Sequence, residues 1–138
     1  MTATFDSVLA GLVSPGLFSW RGRADRDLVG EARAAGWQAL ALDTRQVTSF
    51  EGFYDEVATA WELPEWFGRN LDALFDVLGD LAQRPTLIVW DGLHELGDID
   101  PVRTSAVVDL LRDASEQATA LVVIVRDGLD VSEFDGLL

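Results

Sequence analysis

The sequence predicts a small α/β domain, a parallel sheet of three strands covered by helices, with residues 17–20 as a candidate fourth strand. Three observations carry this. Residues 37–42 (WQALAL), 86–90 (TLIVW) and 121–125 (LVVIV) are short runs with almost no polar interruption. Such runs belong to strands buried on both faces, as in a parallel sheet. Between them lie stretches with apolar residues at helical spacing, long enough to serve as crossovers. Gly and Pro punctuate the joins, at Gly36, Pro64 and Pro85.

Taken in order, Phe5, Val8, Leu9 and Leu12 mark one or two helical turns, ended by Gly11, Pro15 and Gly16. Asp25 is the expected cap of a helix running to about Ala35, with Leu28, Val29 and Ala32 on its apolar side and Gly36 as its stop. After the strand at 37–42, Ser49 or Thr48 opens the next helix, and Thr48 with Glu51 has capping-box spacing. Phe53, Val57 and Trp61 form its inward stripe, and Pro64 ends it. Residues 91–99 read as a loop holding one turn around Leu93 and Leu96. Asp100-Pro101 reads as an N-cap followed by proline in the first helical position. That helix is expected to reach about Ala118, with Val107, Leu110, Leu111 and Ala114 inward and Asp109, Asp113 and Gln117 on another side. Residues 127–138 read as a tail with few structural signals.

The chain is organised around residues 63–81, LPEWFGRNLDALFDVLGDL. Pro64 and Gly68 bracket a loop, and Gly68 is expected to supply a left-handed turn into the helix. Asn70 is the expected N-cap. Leu71, Leu74, Phe75, Leu78 and Leu81 then form an apolar stripe, while Asp72, Asp76 and Asp80 stand one turn apart on the opposite face. Like charges at this spacing destabilise a helix by roughly 0.2–0.5 kcal/mol per pair, and no basic residue inside the helix offsets them. A solvated face is one reading of the ladder; a face that awaits a cationic partner is the other. Trp66 and Phe67, expected to be exposed on the preceding loop, favour the second, because aromatics beside carboxylates are a hot-spot composition.

Composition narrows the function classes. The 138 residues fit a single domain, 1–138, able to build a core without staples. There is no cysteine, which excludes disulfides and thiolate metal sites. Neither a signal peptide nor a membrane span is visible, so a cytoplasmic protein is expected. The net charge is −14, and all ten basic residues are arginine. Residues 1–36 balance four Arg against four acids, so the whole excess lies in residues 37–138. Nucleic acid is disfavoured as a direct partner, because phosphate binding requires a basic surface. A basic protein partner is favoured.

The catalytic inventory is thin, and no enzyme is predicted. His94 is the only histidine and lies on an expected surface loop, with no nucleophile elbow or phosphate-binding loop elsewhere. Asp72 and Asp76 share one convex helix face, whereas a glycosidase pair flanks its substrate. Carboxylates without loop oxygens make a weak cation site, so no metal or cofactor is expected.

The residues Leu63-Pro64-Glu65-Trp66-Phe67-Gly68-Arg69-Asn70-Leu71-Asp72-Ala73-Leu74-Phe75-Asp76 resemble the barstar family, intracellular inhibitors of secreted ribonucleases of the barnase kind. Pro85 before a strand ending in Trp90 fits as well, as does Arg112-Asp113-Ala114, and the likeness runs from residue 37 to about 125 without a gap. The resemblance implies a three-layer fold and an inhibitor that plugs the active site of a guanyl-specific ribonuclease, in a 1:1 complex without cofactor. An immunity protein or binding module for a different basic toxin or regulator is the alternative. By resemblance, Asp72 and Asp76 take the place of carboxylates that meet the enzyme's Arg, Lys and His. Trp66 and Phe67 occupy the family's paired tyrosine positions, Asn70 matches its asparagine, and Asp113 falls at a contacting glutamate. Phe75 stands where the family has Trp, Leu81 replaces another interface Trp, and Gln117 replaces an acid. Residues 1–36 and the tail after Arg126 lie outside the resemblance and look like the accessory helix and strand of longer barstar-like proteins of actinobacteria.

Overall fold

In the computed structural model, which describes residues 3–117, 120–126 and 135–137, Gly16–Trp20 (β1), Gln38–Asp43 (β2), Thr86–Asp91 (β3), Leu121–Val125 (β4) and Asp135–Leu137 (β5) form one sheet. The order is β2-β3-β4-β1-β5 and every pairing is parallel. The helices are Phe5–Leu9 (α1), Leu28–Ala34 (α2), Phe50–Ala60 (α3), Leu71–Leu81 (α4), Leu93–Ile99 (α5) and Pro101–Gln117 (α6). The predicted α/β class holds, with more strands than predicted. Residues 17–20 do form a strand, and a further one lies at the end of the chain. The three residues Asp135–Leu137 have too short and too mixed a pattern to announce a strand; they pair because β1 offers them an open edge. Residues 127–134 of the expected tail, and Ala118 at the expected end of the last helix, lie outside the described residues.

Alternation along the strands builds two cores, one on each face of the sheet. Ile88, Trp90, Leu121, Val123 and Val125 pack under α3, α4, α5 and α6. Leu87, Val89, Val122 and Ile124 point the other way, beneath Phe5 and Val8 of α1 and Leu28 and Ala32 of α2. Residues 3–36 are therefore built into the sheet and its second layer. In particular, β1 lies between β4 and β5. Strand β2 forms an edge and is only partly covered: Ala39 is buried in one core, Leu42 in the other, and Ala41 is exposed. Its Ala41 carbonyl accepts a hydrogen bond from the Trp61 indole at 3.1 Å, which blunts that edge.

Several local expectations shift. The cap of α2 is Asp27, whose carboxylate accepts from the Gly30 amide at 2.9 Å; Asp25 is instead engaged by the Arg23 guanidinium. Ser49, not Thr48, caps α3. Residues 91–99 hold a two-turn helix, α5, where a loop was expected. Its start at Gly92 has φ 100°, and a Cβ there would lie 2.5 Å from the Arg45 amide nitrogen, so only glycine fits. Asp100 accepts from the Arg103 amide at 2.9 Å and caps α6 as predicted. That amide, with the Arg103 guanidinium, holds the Asp100 carboxyl below its usual range. A depressed carboxyl contributes stability above its unfolded pKa and loses it as pH falls through the folded one.

Candidate functional site

Helix α4 begins where predicted. The Asn70 side-chain oxygen accepts from the Ala73 amide at 2.8 Å, and its amide donates to the Gly68 carbonyl at 2.9 Å. One short side chain thus closes the first turn and ties it to the preceding loop. Gly68 gives a close fit and not a left-handed turn: a Cβ there would lie 3.1 Å from the Asn70 side-chain nitrogen and 3.2 Å from the Ala73 Cβ. The left-handed residues around this loop are Glu62 and Arg69, at φ 53° and 48°. Arg69 is held by an ion pair to Asp55 on α3, which anchors the loop to the neighbouring helix. Replacing Asn70 by Ala is expected to cost about 0.5–2 kcal/mol of stability. The check is the denaturant midpoint, and an unchanged midpoint would show that the turn closes without it.

The loop aromatics are not an exposed pair. Trp66 is 84% exposed, whereas Phe67 is 7% exposed and sits near Tyr54, ring centroids 6.5 Å apart. The Phe67 amide donates to the Pro64 carbonyl at 3.0 Å, and this tight turn points one aromatic inward as it leaves the other outside. Phe67 anchors the loop, and Trp66 is the surface it presents.

The acidic row lines a cleft. Helix α6 packs beside α4, and between them lies an open cleft of about 460 Å³ lined by Asp72, Phe75, Asp76, Ala106, Asp109, Leu110 and Asp113. Asp72 and Asp76 leave one helix, as expected, but α6 rises beside them, so the face is concave and not convex. Predicted residues Asp72, Phe75, Asp76 and Asp113 meet here from two helices far apart in sequence. Asp109 is the member that sequence reasoning did not assign to a site. Its spacing of four from Asp113 was the available signal. Asp80 continues the row without lining the cleft, and neither Leu81 nor Gln117 reaches it.

The electrostatics are one-sided. Arg112 lies 3.5 Å from Asp109, one turn along the same helix. Among the described residues, no basic side chain pairs with Asp72, Asp76 or Asp113. Elsewhere several arginines are matched to acids: Arg26 with Glu31 and Asp6, Arg45 with Asp43, Arg126 with Asp91. Like charges around a concave apolar floor of Phe75 and Leu110 focus a negative potential outward. Among the described residues, no group of three or more His, Cys, Asp or Glu is placed to hold a metal ion. His94, exposed on α5, lies 3.4 Å from Asp98. No described helix is long and apolar enough to cross a membrane.

Residues 37–127 match the family model described as barstar, the barnase inhibitor. The chain belongs to the barstar family. The matched region contains the loop, the acidic helix and α6, and so every residue of the cleft. A Bacillus subtilis (strain 168) relative, YrdF, provisionally named a ribonuclease inhibitor, is 24% identical over 78 residues, which are 56% of this chain and 86% of that protein. Membership and this relative support a ribonuclease-inhibitor-like role, and point to an inhibitor rather than an enzyme. The structure of C. elegans PCH-2 shares the fold at 13% identity with a TM-score of 0.50. The likeness covers 88% of this barstar-family chain and 34% of that one, so the chain spans about a third of its length. At that identity the likeness concerns the fold alone.

Proposed function

We propose that this chain inhibits a basic ribonuclease of the secreted, guanyl-specific kind by seating the α4–α6 cleft over the enzyme's active site. The observation that carries the reading is the cleft itself: Asp72, Asp76, Asp109 and Asp113 surround Phe75 and Leu110, no basic residue is part of that lining, and Arg112 lies 3.5 Å from Asp109. A ribonuclease site gathers cations to hold phosphate, and a cluster of carboxylates on a rigid helix pair is a surface such a site accepts. The loop before α4 presents a large apolar group, Trp66, and is itself anchored by the buried Phe67 and closed at its end by Asn70. Aromatic anchors next to desolvated charges carry most of the energy in interfaces of this kind. Inhibition then follows by occlusion in a 1:1 complex, without cofactor or bond-making.

Titrating the chain into a purified basic guanyl-specific ribonuclease, with RNA cleavage as the readout, is expected to abolish activity at one equivalent. Undiminished cleavage at excess inhibitor would overturn the assignment to this enzyme class and leave a basic toxin or regulator of another class as the partner. Stopped-flow association is expected to slow steeply as salt rises, because steering raises on-rates by about 10–10³-fold and is screened beyond a Debye length. Dissociation is expected to change less. An on-rate flat in ionic strength would sink the electrostatic reading.

A further inference from the structure

Four large apolar side chains stand exposed among the described residues: Leu12, Trp66, Ile99 and Val102. Two of them, Ile99 and Val102, share the corner where α5 gives way to α6. Val102 is 78% exposed, although it occupies the first turn of α6, where a polar residue would fit equally well.

Its position on the helix is what matters. Val102, Ala106, Asp109 and Asp113 follow one another at intervals of four, three and four residues, which places them on a single stripe of an α-helix. The last three line the acidic cleft. Val102 extends that same stripe by one turn beyond Ala106. It stands about 10 Å from Asp109 at the usual rise per residue, close enough for both to fall under one protein-sized interface.

We infer that the partner-binding surface continues out of the cleft along α6 to Val102, and that the partner presents an apolar group there beside its cations. This rests on the proposed inhibitor reading and deepens it. The occupant is the same basic enzyme, identified by charge complementarity with the cleft and by the unbroken stripe that joins it to Val102. The carboxylates then set the rate of encounter, while Val102, which carries no charge, slows departure. A basic protein without an apolar rim at that distance is held less tightly, so this corner contributes to partner choice.

The test compares four chains against the same guanyl-specific ribonuclease: the unmodified protein, Val102→Ser, Leu12→Ser and Asp76→Ala, with thermal melts alongside. Serine keeps the helix start intact and adds no charge. Val102→Ser is expected to dissociate about tenfold faster, with an unaltered salt dependence of the on-rate. Leu12→Ser, an equally exposed site on the α1–β1 connection, is expected to bind as the unmodified chain does. An unaltered dissociation rate for Val102→Ser, or an equal effect from Leu12→Ser, overturns the inference. If Asp76→Ala is weakened while Val102→Ser is not, this inference alone fails. If Asp76→Ala binds normally, or the unmodified chain does not bind, the underlying inhibitor reading fails with it.

Discussion

Replacing Asp76 by Ala is expected to leave the chain folded and to lower its affinity for the ribonuclease by about 2–5 kcal/mol, the cost of leaving a buried cation of the partner unpaired. The two readings of the acidic row part company here. On a solvated face the same change is neutral or slightly stabilising, since it removes repulsion with Asp72 and Asp80. On a binding face stability is unchanged or improved while affinity collapses. Asp76 faces the cleft beside Phe75 and across from Asp109 and Asp113 of the neighbouring helix, so a partner that fills the cleft strips water from it. Asp80 is the internal control: it stands one turn further on, outside the cleft, and Asp80→Ala is expected to matter far less. Calorimetry of the three proteins, paired with thermal melts, reads both quantities. Equal affinity for Asp76→Ala and the unmodified chain would remove this face from the function.

Deleting residues 1–36 is expected to abolish cooperative folding of the remainder. The family match begins at residue 37, and by resemblance the preceding segment looks accessory. The structure gives it a different weight. Leu87, Val89, Val122 and Ile124 are each 1% exposed or less, on the face of the sheet that α1 and α2 cover. Uncovering such side chains costs about 1.5–3 kcal/mol apiece, and four of them together rival the roughly 5–15 kcal/mol stability of a whole domain. Removing β1 also takes from β4 one of its two partners and takes from β5 the strand it pairs with. Phe5 and Trp20 meet edge to face at 6.1 Å, with the Arg26 guanidinium over both rings, so the segment has a packed interior of its own to lose. A sigmoidal melt and retained binding for the truncated chain would show that the second layer is dispensable.

The candidate site was legible to the extent that its information is local. Asn70 and the stripe from Leu71 to Leu81 are decided by contacts within a turn or two, and spacing alone places them. Asp109 was visible as part of an acidic side of its helix, yet nothing local says which neighbour that side meets. The exposure of Trp66 against the burial of Phe67 was not legible either. Two adjacent aromatics on a loop look alike in sequence, and only the turn closed by the Phe67 amide on Pro64 decides which of them reaches the Tyr54 ring. The cap of α2 slipped by two positions, to Asp27, and the cap of α3 stayed open between Ser49 and Thr48, because several side chains in a row are competent to cap. Arg23 removes one of those competitors by pairing with Asp25.

The sequence by itself determined the α/β class, the strands β2, β3 and β4, the major helices and the acidic face with its cap. Period, propensity and capping are short-range properties written into consecutive residues. Tertiary structure decided the rest. It ordered the strands β2-β3-β4-β1-β5, inserted β1 beside β4, and recruited β5 from a stretch without strand character. It also laid α6 against α4, which turned two separate acidic rows into one concave surface. Strand order and helix neighbours depend on which apolar faces find each other across long separations. No window of neighbouring residues contains that choice.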